Sequence, residues 1–243
     1  MQAFAGIPGR GGTARAVIAP HGAWELSGSL AGAAFSAAAG RMPSRVVLLG
    51  PVHDGGDLGI FLSGSRYFQT PLGDLSVDRE LSVRLVARDP LIRFYDIPHL
   101  HEHSIEVLLP FIRYLFPETA IVPILMGGRN PEHVGILAEA LYAVFAEKVA
   151  DTLFVVSMNL APGRAGNGIA AGQYLGLFGA GDPERIKAAF AGGQPDGYGY
   201  GCACALLRSG LLEGCRPNLA SERLLGAEEK DGTAVYYGAF SFV

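Results

Sequence analysis

Short apolar runs alternate with windows of helical periodicity along most of the chain. Val17 to Ala19, Arg45 to Leu49 (RVVLL), Leu58 to Leu62 (LGIFL), Ala120 to Leu125 (AIVPIL) and Thr152 to Ser157 (TLFVVS) read as strands. RVVLL, AIVPIL and TLFVVS are apolar without alternation, as strands covered on both faces are. Helical windows fall between them at Ser29 to Ala39, Asp78 to Ala87, Ser104 to Leu115 and Glu132 to Val149, and Thr70 to Asp74 marks a turn. Pro110 sits inside its window and is expected to kink that helix. Beyond Ser157 the pattern weakens into a glycine-rich stretch with helices expected at Gly172 to Gly179 and Asp182 to Ala191, before the alternating strand Ala234 to Val243 (AVYYGAFSFV). This interleaving predicts an α/β fold, a three-layer α/β/α sandwich with a mainly parallel central sheet, as a single domain over residues 1–243.

Composition adds limits. Of the 243 residues 49% are hydrophobic and 17% charged, which leaves apolar area for a core and for a subunit interface, so a homo-oligomer is expected. A net charge of -4 without any basic cluster argues against nucleic acid as a partner. No apolar run is long enough to cross a membrane and the N-terminus lacks the order of a signal peptide, so no membrane partner and a cytoplasmic location are expected. The three cysteines, Cys202, Cys204 and Cys215, do not suit a disulfide framework, and Cys202-Ala203-Cys204 lacks zinc-knuckle spacing.

Histidine placement carries the chemistry. His21 in APHGAW and His53 in LLGPVH each follow a strand, at the sheet edge where α/β proteins bind ligands. Imidazoles from neighbouring strand ends can converge on one divalent ion; the simpler reading is that each hydrogen-bonds a loop carbonyl. A third cluster runs from His99 through His101, Glu102 and His103 to Glu106 (HLHEHSIE). In an extended chain its histidines would share a face, yet Ser104 reads as the cap of the next helix. Glu102, His103 and Glu106 are then the inward members, and His99 and His101 belong to a solvated loop. Gly127 to Pro131 (GGRNP) lacks the spacing of a phosphate loop, and no nucleophile elbow is present.

Taken in order, these motifs resemble the Memo-like family, also called AmmeMemoRadiSam system protein B, which is related in fold to the class III extradiol ring-cleaving dioxygenases. The resemblance rests on APHGAW with Ser27-Gly28, LLGPVH, Phe68 to Gly73 (FQTPLG), EHSIEVLLPF and Val155-Val156-Ser157. It implies that His21 and His53 are metal ligands, for iron in first place and zinc as the alternative, and that His103 acts in the pocket as acid, base or hydrogen-bond donor. The family supplies an aspartate and a histidine after the strand ending at Ser157, where this chain has Asn159 and Pro162. Matching the last apolar helix without a gap puts Tyr198 where the family has its ligating cysteine. The expected function is therefore a partly eroded metal pocket for non-haem iron redox chemistry of the dioxygenase type on an unknown small molecule. The alternative is a non-catalytic protein that binds a small molecule or works with a radical-SAM or Ammecr-type protein partner.

Overall fold

A computed structural model describes residues 11–53, 58–127, 131–160, 171–180, 182–190, 199–225 and 235–243. Its elements in chain order are β1 (Ala16–Ala19), α1 (Trp24–Ser36), β2 (Arg45–Pro51), β3 (Gly59–Leu62), β4 (Tyr67–Phe68), β5 (Leu75–Ser76), α2 (Arg79–Val86), β6 (Ile92–Phe94), α3 (Asp96–His101), α4 (Leu109–Leu115), β7 (Ala120–Gly127), α5 (Pro131–Phe145), β8 (Thr152–Ser157), α6 (Ala171–Ala180), α7 (Pro183–Phe190), α8 (Tyr200–Arg208), β9 (Pro217–Leu225) and β10 (Val235–Phe242). Eight strands form one sheet in the order β6-β3-β7-β2-β8-β1-β10-β9. Strands β7, β2, β8 and β1 pair in parallel. Antiparallel pairing joins β3 to β7, and β10 to both β1 and β9, on the flanks.

Alternate residues of the inner strands feed two cores. Val47 and Leu49 of β2 and Phe154 and Val156 of β8 face one core with Leu85 of α2, Leu141 of α5 and Ala205 of α8. Val46, Leu48, Leu153 and Val155 face the other, with Phe35 of α1 and Phe111 of α4. The molecule is thus a three-layer α/β/α sandwich with a mainly parallel sheet. Rings of Phe35 and Phe111 stack at 5.4 Å, and truncating either would cost about 3–5 kcal/mol.

Local chemistry explains the well-predicted elements. Asp78 caps α2 by accepting from the Leu81 N–H at 3.0 Å, with Glu80 in the first turn and Arg84 in the last, each favourable to the helix dipole. The turn at Thr70 to Asp74 joins β4 to β5, with the Thr70 hydroxyl donating to the Gly73 carbonyl at 2.7 Å.

Three expectations around the histidine cluster need correction. The helix expected from Ser104 to Leu115 begins at Leu109, after a 3₁₀ turn at Glu106–Leu108, so Pro110 occupies its first turn, where no N–H is needed, and causes no kink. Ser104 caps nothing: its hydroxyl donates to the Pro51 carbonyl at 2.7 Å. His99 and His101 lie on α3, not in an extended or solvated loop. Two residues apart on a helix point to different sides, so His101 is exposed while the His99 ring lies against Phe68 and reaches the Phe61 carbonyl at 3.2 Å.

Candidate metal centre

Because β2 and β1 both run parallel to β8, their carboxyl ends open on one edge. Ala19 lies level with Ser157, and Leu49 with Val156. His21 and His53 each follow two residues after these strand ends, at the edge where α/β sheets bind ligands. Gly50 lets the 104–105 segment close over β2, since a Cβ there would meet Ile105 Cγ2 at 2.5 Å and Ser104 Oγ at 2.8 Å.

His21 is 1% exposed. Its backbone N–H donates to Asn159 Oδ1 at 3.0 Å, and its Nδ1 lies 2.7 Å from Ser157 Oγ. Asn159 therefore uses its carboxamide to position the loop, at the place where the resembled family carries an aspartate.

His53 is held at two points by one carboxylate. Glu102 Oε2 accepts from the His53 backbone N–H at 2.7 Å, and Glu102 Oε1 lies 2.8 Å from His53 Nδ1. The Ser104 N–H also donates to Oε1 at 2.8 Å, and His103 Nδ1 stands 3.4 Å from it. Burial alone would push the Glu102 carboxyl up. The hydrogen bonds from the His53 ring, its backbone N–H and the Ser104 N–H, with the nearby imidazole charge, outweigh that and bring it down to about 2. An ionised carboxylate only accepts, so the proton of that contact belongs to His53 Nδ1, and whenever the ring is neutral its lone pair lies on Nε2. A second nitrogen fixed by a carboxylate is how proteins orient ligating imidazoles.

The site brings together His21, His53, Glu102 and His103. The His21 and His53 rings are 5.2 Å apart at 84°, His21 and His103 6.0 Å apart, and His53 and His103 stack at 4.5 Å and 17°. Side chains of His53 and His103 are 34% and 56% exposed, that of Glu102 4%. Glu106 lies on the exposed side of the 3₁₀ turn, outside this group. Tyr198 and Pro162 lie outside the described residues. Cys202 and Cys204 begin α8 and are buried in the core, where burial pushes the Cys202 thiol up to about 12.

Two groupings of donors could hold a metal. Ligand atoms of His53, Glu102 and His103 all lie within 4.8 Å of one another, and His21 is not in that set. The His21 and His53 ring centres, 5.2 Å apart, form a second candidate pair, since imidazoles ligating at ~2.1 Å at a tetrahedral angle have their centres ~5 Å apart. Within the first grouping the Glu102 oxygens and His53 Nδ1 already engage each other. A carboxylate so engaged is better placed to orient imidazoles than to ligate. Sequence reading missed Ser157 and Ser104 as partners of this network; the signal was a hydroxyl closing the otherwise apolar run TLFVVS.

A sequence profile described as "Memo-like protein" matches residues 1–162, well over half of the chain. The chain belongs to the Memo-like family. It is 36% identical over 150 residues to a MEMO1 family protein of Sulfolobus acidocaldarius, covering 60% of this chain and 52% of that protein. To a MEMO1 family protein of Saccharolobus solfataricus it is 38% identical over 143 residues, 57% of this chain and 49% of that one. This Memo-like chain thus spans about half the length of the curated relatives it matches. A crystal structure of an uncharacterized protein from Escherichia coli K12 superposes with a TM-score of 0.55 at 13% identity, covering 93% of this chain and 98% of that one, a likeness of fold. The span matched to the Memo-like profile contains His21, His53, Glu102, His103 and Asn159; residues 198–204 lie beyond it. Among the described residues no helix is long and apolar enough to cross a membrane.

Proposed function

We propose that this Memo-like chain is a metal-dependent protein acting on a small molecule, with a divalent ion, iron in first place and zinc as the alternative, held by His21 and His53. The observation that carries this reading is the two-point grip of Glu102 on His53, which aims one nitrogen of the ring and fixes the proton on the other. The donor set fits such an ion: two imidazoles whose ring centres are 5.2 Å apart, beside an ionised carboxylate that offsets the positive charge. When bound, the metal would supply Lewis-acid polarisation and open positions for small ligands, as non-haem iron sites do.

His103 then serves beside the ion. Its ring is half-exposed, stacks on His53 and has Nδ1 near Glu102, so it can take or give a proton at the pocket mouth while the carboxylate steadies it. Tyr198 joins the proposal as a phenol ligand. A phenol, with its reference pKa near ~10, ligates most divalent ions poorly at neutral pH, so the third position is the weak one. Partial metal occupancy in protein purified without a histidine tag follows. Elemental analysis, repeated after loading with Fe(II) and with Zn(II), tests this: a metal content independent of His53 would refute it.

One observation favours a second reading, a non-catalytic binding protein that works with a radical-SAM or Ammecr-type partner. Asn159 cannot titrate and is committed to the His21 N–H, so the pocket lacks an acid–base group that the resembled family has. Oxygen uptake by the iron-loaded protein, screened against catechol-type substrates, separates the two readings.

A further inference from the structure

Ser157 is the last residue of β8, fully buried, and its hydroxyl touches two groups. One is the Ser104 carbonyl, 2.5 Å from Oγ. The other is His21 Nδ1 at 2.7 Å. A carbonyl oxygen only accepts, so at that separation the single hydroxyl proton lies between the two oxygens, and Ser157 has none to give His21. Its oxygen must accept from the ring. We infer that Ser157 is a positioning residue that fixes the neutral His21 imidazole with its proton on Nδ1, so that Nε2 carries the lone pair a metal requires.

This inference rests on the metal reading for its purpose, not for its geometry. His53 and His21 sit on different strands, and the short segment from Glu102 to Ser104 controls both. Its carboxylate accepts a hydrogen bond from His53 Nδ1–H; the Ser104 carbonyl accepts one from the Ser157 hydroxyl and so obliges Ser157 to accept from His21. The Ser104 hydroxyl, donating to the Pro51 carbonyl at 2.7 Å, and the Ser104 N–H, donating to Glu102 Oε1 at 2.8 Å, hold that segment in place. Backbone packing leaves Ser157 little freedom: Gly199, with φ of +81°, lies so close behind it that a Cβ would meet the Ser157 carbonyl oxygen at 2.1 Å. One peptide segment therefore places the Nδ1 proton of both rings.

The test reads the proton directly. Protein labelled with ¹⁵N-histidine is studied at pH 8 by long-range ¹H–¹⁵N correlation, with the His21 ring assigned from a His21→Gln variant. The expected wild-type result is a pyrrole-type shift at Nδ1 and a pyridine-type shift at Nε2. In Ser157→Ala the ring should shift toward the Nε2–H form, and Zn(II) affinity should fall about 10–100-fold, the usual loss when a partner of a ligating imidazole is removed. Ser157→Thr, which keeps the hydroxyl, should restore both and guards against a folding defect in the alanine variant. A wild-type ring protonated on Nε2, or a tautomer unchanged in Ser157→Ala, overturns the inference. The expected tautomer shift in a protein that binds no Zn(II) sustains the role of Ser157 and removes the metal reading instead.

Discussion

Glu102 grips His53 at two points 49 residues away in sequence, its Oε2 on the backbone N–H at 2.7 Å and its Oε1 beside Nδ1 at 2.8 Å. One carboxylate thus fixes the loop after β2 and the ring it carries. Glu102→Gln replaces one oxygen with a donor and removes the charge that favours a proton on Nδ1. Metal affinity is expected to drop about 10–100-fold, as when other carboxylate partners of ligating histidines are lost. Titration calorimetry with Zn(II) measures this; an unchanged isotherm would mean that the grip is purely structural.

Cys202 offers a contrasting outcome. It is 1% exposed in the first turn of α8, and burial pushes its thiol up to about 12, far from the thiolate that a metal needs. Cys202→Ala is expected to leave metal content unchanged while lowering stability by about 1 kcal/mol through lost packing. Elemental analysis and urea unfolding of the variant check both halves, and loss of metal would reassign the third ligand to this thiol.

Gly199 supports the site from behind. Its φ of +81° favours glycine, and a Cβ would meet backbone at Ser157. Gly199→Ala should cost more than about 1 kcal/mol, because the strained backbone adds to a clash that has no flexible side chain to absorb it. Chemical denaturation gives the number, and a stability equal to the parent would contradict the packing described.

His99 predicts a pH dependence of stability. Burial brings its ring down to about 4 from the usual 6.5, against opposing pulls from the Phe61 carbonyl and Asp96, and its Nδ1 is buried with no partner among the described residues. The unfolded chain therefore binds more protons than the folded one between pH 6.5 and 4. The contribution is complete above pH 6.5 and is lost as pH falls toward 4. Glu102 titrates lower, its contribution lost only as pH falls from 4.5 toward 2. Urea midpoints between pH 7 and 5 should thus fall more steeply for the parent than for His99→Gln, whose amide keeps a bond to Phe61; parallel curves would count against the buried neutral ring.

How much of this could be read from sequence follows from what each feature depends on. Continuous apolar runs marked β2, β7 and β8, and with them the edge where His21 and His53 emerge. Helix α3 escaped notice because it is six residues long with Pro98 inside it, and is held by tertiary contacts. Asp96 takes the Ser63 hydroxyl at 2.6 Å and the Gly64 N–H at 2.8 Å, pinning α3 to the loop after β3. Alternation in HLHEH suggested an extended chain where a helix forms. Glu102 was legible as an inward residue, but not its hold on His53, since nothing local in a sequence reveals which distant N–H a carboxylate will meet. Strand β9 was missed for a related reason: Pro217 to Leu225 (PNLASERLL) lies at the sheet edge, and its partly polar pattern acquires order from pairing with β10.

The most direct test of the central claim is the metal content of untagged protein loaded with Fe(II) or Zn(II) under nitrogen, desalted, and measured beside His21→Ala and His53→Ala. The account predicts that the parent retains up to about one ion per chain and that either substitution abolishes retention, with the fold intact by circular dichroism. Equal retention in the parent and both variants, or none in any of them, would contradict it.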